Sequence, residues 1–175
     1  MGEFFDQGEL PTRVFRGFVR RVTPDMPVQC TVVSPCFWKT WVHYHGKSIG
    51  CLRAKDKCPG CKLGWPRKFL GYLYIRNEHN SKYEHLELPF EACHDLVQAI
   101  GGQELLRGTR FVAKRKGGKK GRITFDMKEH LDDVAPAFEL PADVDPSGIL
   151  EYLWGVNFSK LKLSADEELP SREAI

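Results

Sequence analysis

Cysteines and histidines clustered between residues 43 and 61 are the side chains best suited to bind a metal ion. Cys58 and Cys61 flank a Pro-Gly pair, and this C-x-x-C spacing can place two thiolates on one metal through a tight turn. Cys51 lies seven residues before Cys58 and adds a third thiolate. Tetrahedral Zn²⁺ takes four such ligands, so the sequence predicts one structural zinc ion with no open position for water.

The identity of the fourth ligand is open. His43 and His45 are two residues apart, so both would lie on one face of an extended segment. We prefer His43, then His45, and third Cys36. The competing interpretation of the C-x-x-C pair is a redox dithiol, which would open a helix after a strand. Here Lys-Leu-Gly-Trp-Pro follows Cys61, and this stretch cannot continue a helix.

Length and composition are typical of a globular protein with one core. The 175 residues contain neither a signal-peptide pattern nor an apolar run near the twenty residues of a membrane helix. We therefore expect an intracellular, cytosolic protein. In that compartment the six cysteines should be reduced thiols.

The net charge of +3 conceals a strong asymmetry along the chain. Residues 107–122 contain eight Lys or Arg and no acid, whereas residues 166–175 contain four acids and one Arg. A charge run is often only a solvated surface, but this pairing favours a polyanion partner. The acidic tail would then compete with that partner or recruit replication or recombination proteins.

The predicted elements follow the order strand, strand, metal loop, strand pair, helix, strand, strand. Five main strands with a helix between the third and fourth are typical of an OB-fold. We therefore expect a mainly β protein with an OB-fold-like five-stranded barrel, an inserted Cys₃His zinc subdomain and short helices. The predicted division is a flexible leader (1–12), the nucleic-acid-binding domain (13–134, with its zinc loop at 43–68), a linker with a short helix (135–163) and a mobile acidic tail (164–175).

Aromatic and basic residues alternate in and around the metal loop. Proteins that bind single strands pair a positive groove with aromatic rings on which bases stack. Any one of these aromatics could instead belong to the core. The candidate DNA-binding residues are Trp38, Trp41, Tyr44, Lys47, Trp65, Arg67, Lys68, Tyr72, Tyr74, Arg76, Lys114, Arg115, Lys116, Lys119, Lys120 and Arg122.

Three motifs together resemble a known family. They are Trp41-Val-His43-Tyr-His-Gly-Lys-Ser-x-x-Cys51, Cys58-Pro-Gly-Cys61-x-x-Gly64 and Arg67-x-x-x-Gly71-Tyr72-Leu. In this order they are similar to the zinc-containing single-stranded DNA-binding proteins of phages and mobile elements, of the type found in T-even phages. The resemblance implies an OB-fold with a Cys₃His zinc subdomain, a basic aromatic-lined cleft and an acidic C-terminal tail. The expected function is sequence-tolerant protection of single-stranded DNA in replication or recombination, without catalysis.

Two binding functions compete with this hypothesis. A zinc-ribbon adaptor would bind replication or transcription proteins. A duplex DNA or RNA binder would use the basic hairpin that we predict from two strands, 109–115 and 122–127, joined by Lys-Gly-Gly-Lys-Lys-Gly. An enzyme is disfavoured, because zinc deaminases carry H-x-E before P-C-x-x-C. In this sequence His85-Leu-Glu87 comes after the Cys58–Cys61 pair. That pair also reads C-P-x-C and has no proline directly before its first cysteine.

Overall fold

A computed structural model describes residues 18–52 and 57–131, together with Pro146, Gly148 and Leu150. Within this part of the chain, strands dominate and the helices are short. The strands are β1 (Phe18–Arg21), β2 (Val28–Val32), β3 (Trp38–His45), β4 (Lys47–Gly50), β5 (Arg67–Asn77), β6 (Tyr83–Pro89), β7 (Thr109–Lys116) and β8 (Arg122–His130). The helices are α1 (Pro59–Lys62), α2 (Phe90–Ile100) and a 3₁₀ turn (Gln103–Leu105). No helix among the described residues is long and apolar enough to cross a membrane.

The long strand β5 is the centre of a mixed sheet with the order β1-β6-β5-β2-β7-β8. Strands β2 and β3 both pair with β5, β2 along its second half and β3 along its first half. The break between β2 and β3 covers residues 33–37, which include Ser34 and Pro35. Ser34 bridges the break, because its Oγ accepts a hydrogen bond from the backbone N–H of Tyr74 at 3.0 Å.

The predicted closed five-stranded barrel is wrong, because the eight-stranded sheet stays open. The first predicted strand is present as β1, but its pairing was not predicted, because β1 runs parallel to the outer edge of β6. Two ion pairs hold it there, Arg20–Glu84 at 3.0 Å and Arg21–Glu87 at 2.9 Å. The two sides of the curled sheet still meet at one end, where Arg115 donates to the carbonyl oxygen of Val22 at 2.7 Å.

Both faces of the central sheet are covered by apolar side chains. On one face, α2 packs its buried Phe90, Cys93 and Leu96 against the main core. The helix ends at Gly101, whose φ of 89° suits glycine, as the sequence predicted. The opposite face carries a second cluster made of Val33, Trp38, Val42, Leu70, Tyr72, Tyr74 and Leu150.

Several predictions concern residues outside the described part of the chain. They include the leader at 1–12, most of the linker and helix at 135–163 and the acidic tail at 164–175. Of the predicted C-terminal helix, Pro146, Gly148 and Leu150 are described, and all three are helical. The side chain of Lys47, a candidate DNA contact, also lies outside the described part.

Candidate metal centre and basic cleft

Four side chains from four successive pieces of structure converge on one point. His43 belongs to β3, Cys51 follows β4, Cys58 caps the start of α1 and Cys61 lies within α1. One ligand atom from each lies within 4.8 Å of all the others. The Pro-Gly pair builds this geometry, because Pro59 opens α1 and the helix turns Cys61 back beside Cys58. Three of the four residues are buried and Cys61 is partly buried, so the cluster could hold a metal ion.

The distances between ligand atoms fit a tetrahedral ion of the size of zinc. Cys51 Sγ lies 3.6 Å from Cys61 Sγ, and Cys61 Sγ lies 3.4 Å from His43 Nε2. Tetrahedral bond lengths of about 2.3 Å for sulfur and about 2.05 Å for nitrogen would separate such atoms by about 3.8 Å and about 3.6 Å. In these two pairs the ligand atoms are only about 0.2 Å closer together than in such a site.

His43, and not His45 or Cys36, is the fourth member of this cluster. Its Nδ1 lies 3.0 Å from the carbonyl oxygen of Trp65. A carbonyl oxygen only accepts, so Nδ1 carries the proton and Nε2 keeps its lone pair for a metal. His45 is exposed and stacks on the Trp65 ring, with centroids 4.7 Å apart.

Close packing on α1 fixes the His43 ring. A Cβ built on Gly60 would lie 2.3 Å from His43 Cγ, so the imidazole packs directly on the glycine backbone. Thus Gly60 is required for the site although it offers no ligand atom. Sequence reasoning assigned the Pro-Gly pair to the tight turn and did not predict this steric role.

The thiols of the cluster differ in acidity. Burial opposes ionisation of Cys58, but hydrogen bonds from the backbone of Cys61, Leu52 and Gly60 outweigh it and lower the pKa to about 6. Burial, together with the neighbouring Cys51 and Cys58 thiols, raises the pKa of Cys61 to about 11. These thiols cannot all ionise beside one another without a compensating cation, which is the charge that a divalent metal supplies.

A second feature is a cavity of about 670 Å³ where β1, β5, β6 and the β7–β8 hairpin meet. Its walls include the first turn of α2 and the glycine-rich hairpin tip. Two carboxylates, Glu87 and Glu91, also line it. Six cationic side chains line it: Arg21, Lys68, Arg115, Lys119, Lys120 and Arg122. We call this cavity the basic cleft.

The arginines of the basic cleft form ion pairs or hydrogen bonds within the protein. Arg21 pairs with Glu87 at 2.9 Å, and Arg122 pairs with Asp95 of α2 at 2.7 Å. Arg115 donates to the carbonyl oxygens of Val22 and Gly121, and it forms no ion pair with any carboxylate in the described part of the chain. These contacts orient the guanidinium groups.

The lysines of the basic cleft are exposed. Within the described residues, Lys68, Lys119 and Lys120 form no ion pair. Their three charges, together with that of Arg115, are therefore available to an anionic ligand. Sequence reasoning identified these four residues but missed Arg21, because only the parallel pairing of β1 brings it to the cleft.

Other predicted cations lie elsewhere. Lys114 pairs with Asp126 across the hairpin at 2.5 Å, and Lys116 is exposed without lining the cleft. Arg67 lies 5.6 Å from the Trp41 ring centroid in a cation–π contact. Arg76 is partly buried on the far half of β5. The structure therefore does not gather the sixteen candidate DNA-binding residues into one surface.

The expectation that Trp38, Tyr72 and Tyr74 are exposed for stacking is wrong. Trp38 is 5% exposed and both tyrosines are 0% exposed. The two tyrosines share a face, as their spacing predicts, but that face is the second apolar cluster, which includes Leu150. Trp41 and Trp65 are half-buried, and Tyr44 is 60% exposed.

Comparison with known proteins yields no match. No protein-family model matches the chain, and no match is found among curated proteins or solved structures. The resemblance of the zinc motif therefore stays a hypothesis based on residue spacing. The function is inferred below from the basic cleft and from the group of His43, Cys51, Cys58 and Cys61 that could hold a metal ion, which we call the metal cluster.

Proposed function

We propose that this protein binds single-stranded DNA with little sequence preference and without catalysis. The observation that carries the proposal is the basic cleft. There Lys68, Lys119, Lys120 and Arg115 line one concave surface, and none of them pairs with a carboxylate among the residues that the structure describes. A concentration of uncompensated positive charge attracts polyanions. The glycine-rich hairpin tip can adapt to a backbone whose course varies from one strand to the next.

Phosphate contacts from the lysines would supply the part of the affinity that is independent of sequence. A protein that neutralises phosphates on a single strand releases about 0.7 counterion per contact. Lys68, Lys119 and Lys120 together would contribute about 2 to the slope of log K against log salt. Arg115, held by two carbonyl oxygens, has N–H groups left to donate to a phosphate.

Single strands are favoured over duplexes because an exposed aromatic ring lies near the β5 end that lines the cleft. Tyr44 lies on the same face of β3 as Val42, and Val42 pairs with Lys68 of β5. Unpaired bases can stack on such rings, whereas bases in a duplex cannot, and each stacked base contributes about 1–3 kcal/mol. Since every base has a π-face, little sequence discrimination is expected.

We further propose that the metal is zinc and that its role is structural. Four protein ligands fill a tetrahedral shell, so no position is left for a reacting water. We also propose that the sheet from β2 onward is an opened, OB-fold-like arrangement. With β2 and β3 counted as one broken strand and β4 assigned to the metal loop, three of its strands precede α2 and two follow it. The acidic residues after 164 are proposed to compete with DNA for the basic cleft or to recruit replication or recombination proteins.

Binding titrations with oligo-dT at several salt concentrations test the proposal. The test variant replaces Lys68, Lys119 and Lys120 by Gln, and should lower the salt slope by about 2. The matched control replaces three exposed lysines outside the cleft, Lys62, Lys82 and Lys128, by Gln. The control carries the same net charge, so a specific role of the cleft predicts a clearly smaller loss of slope.

Three results would contradict single-strand binding. Equal slopes for the two triple variants would show that the cleft is not the phosphate site. Equal affinity for duplex and for dT oligomers would favour the duplex-binding alternative. Failure to bind any nucleic acid at low salt would favour the zinc-ribbon adaptor.

A further inference from the structure

Tyr44 is the most exposed of the aromatic side chains near the metal cluster. It is 60% exposed, near the end of β3. The neighbouring rings have partners: Trp41 contacts Phe69 edge-to-face and lies near Arg67, and Trp65 stacks on His45. Burying a bare aromatic ring is favourable, so an exposed tyrosine ring is a natural platform for a planar apolar ligand.

The register of the sheet places Tyr44 beside the basic cleft. Val42 pairs directly with Lys68, and Tyr44 lies two residues beyond Val42 on the same face of β3. Tyr44 and Lys68 are therefore diagonal neighbours on adjacent strands. Such pairs lie about 7–8 Å apart, within reach of long and aromatic side chains. Lys68 in turn lines the cleft together with Lys119 and Lys120.

The metal cluster holds the hairpin that carries Tyr44. His43 precedes Tyr44 directly, and Cys51 follows β4, which pairs with the end of β3. Two of the four potential ligands thus lie near the base of this hairpin, one on β3 and one directly after β4. Its turn at Gly46, with φ of 71°, leads directly from one strand to the other. The position of Tyr44 relative to Lys68 consequently depends on the cluster.

We propose that Tyr44 and Lys68 form one nucleotide subsite at the mouth of the basic cleft, whose stacking half is held in place by the bound metal. The base stacks on the Tyr44 ring, the phosphate of the same or the next nucleotide binds the Lys68 ammonium, and the following phosphates enter the cleft toward Lys119 and Lys120. This inference rests on the proposed function. It adds that the two parts of the site bind different parts of the strand: Tyr44 contacts the base, and the cleft contacts only the phosphates.

Paired oligonucleotides separate the two contributions. Oligo-dT and an abasic strand of the same length carry the same phosphates, but only oligo-dT offers bases. The wild-type protein should bind oligo-dT about tenfold more tightly than the abasic strand. Tyr44→Ala and Tyr44→Leu should bind the two strands equally, with the wild-type salt slope. Tyr44→Phe keeps the ring and should keep the preference.

Metal removal gives an independent readout. After chelation under reducing conditions, the protein should lose its preference for oligo-dT over the abasic strand while its salt slope stays near that of the untreated protein. Adding back Zn²⁺ should restore the preference. The Tyr44→Leu variant has no stacking ring to position, so neither chelation nor added Zn²⁺ should change its ratio of affinities.

The outcomes distinguish this inference from the proposed function. If Tyr44→Ala or Tyr44→Leu retains the tenfold preference, the subsite is wrong even when the lysine variants still flatten the salt slope. If Tyr44→Phe loses the preference, stacking is not the interaction. If chelation leaves the preference intact, the link to the metal is wrong. If the wild-type protein binds neither strand, the proposed function itself fails.

Discussion

The contact between Gly60 and His43 predicts that adding one methyl group will disrupt metal binding. In Gly60→Ala the new Cβ would lie 2.3 Å from His43 Cγ and 2.4 Å from Cδ2. Carbon atoms in contact lie about 3.5–4.0 Å apart, so one group must move by about 1.2 Å or more. Metal–ligand distances tolerate only about 0.2 Å.

Neither side of this contact can move freely. His43 lies on β3, which is hydrogen-bonded to β4 on one side and to β5 on the other. Gly60 lies between Cys58 and Cys61 in α1, so a shift of α1 would displace both thiolates. The added methyl group must therefore displace at least one ligand, whichever side gives way.

We expect Gly60→Ala to weaken metal binding by at least about a hundredfold and to lower the free energy of unfolding by about 3 kcal/mol, the upper range for an overpacked site. Metal content after dialysis and competition with a coloured chelator measure the first effect, and chemical denaturation measures the second. Lys62→Ala, an exposed substitution in the same helix, serves as the control. Full metal content and wild-type affinity in Gly60→Ala would refute the packing of His43 on Gly60.

Two further substitutions test the fold around the site. Hydrogen bonds from Arg110 are the main reason that the pKa of Glu78 falls from 4.5 to about 2. The ionised Glu78 therefore stabilises the folded protein fully above pH 4.5, and this contribution should be lost as the pH falls toward 2. Glu78→Gln should lower the free energy of unfolding by about 2 kcal/mol at pH 7, with a smaller effect at pH 2.5, and an equal effect at both pH values would contradict the assignment. In Gly71→Ala the new Cβ would lie 2.5 Å from Cys93 Sγ, which predicts a loss of about 2 kcal/mol. The double variant with Cys93→Ala should recover part of that loss, and strictly additive losses in denaturation experiments would rule out the clash.

The sequence alone predicted those features that are formed by residues close together along the chain. The Cys58-Pro-Gly-Cys61 knuckle predicted two neighbouring thiolates, because a tight turn needs no information from elsewhere in the chain. Helix α2 and its glycine stop were predicted for the same reason. The β7–β8 hairpin likewise follows from two β-rich runs joined by a glycine-rich tip.

Only the tertiary structure decided between His43 and His45 and between exposed and buried aromatics. The two histidines share a strand face, so periodicity cannot separate them, and the choice depends on where α1 places Gly60 and its thiolates. Tyr72 and Tyr74 are buried in a cluster that includes Leu150, more than seventy residues further along the chain. A strand pattern shows which side chains share a face. Whether solvent reaches that face depends on contacts between segments distant in the sequence, and no local spacing encodes them.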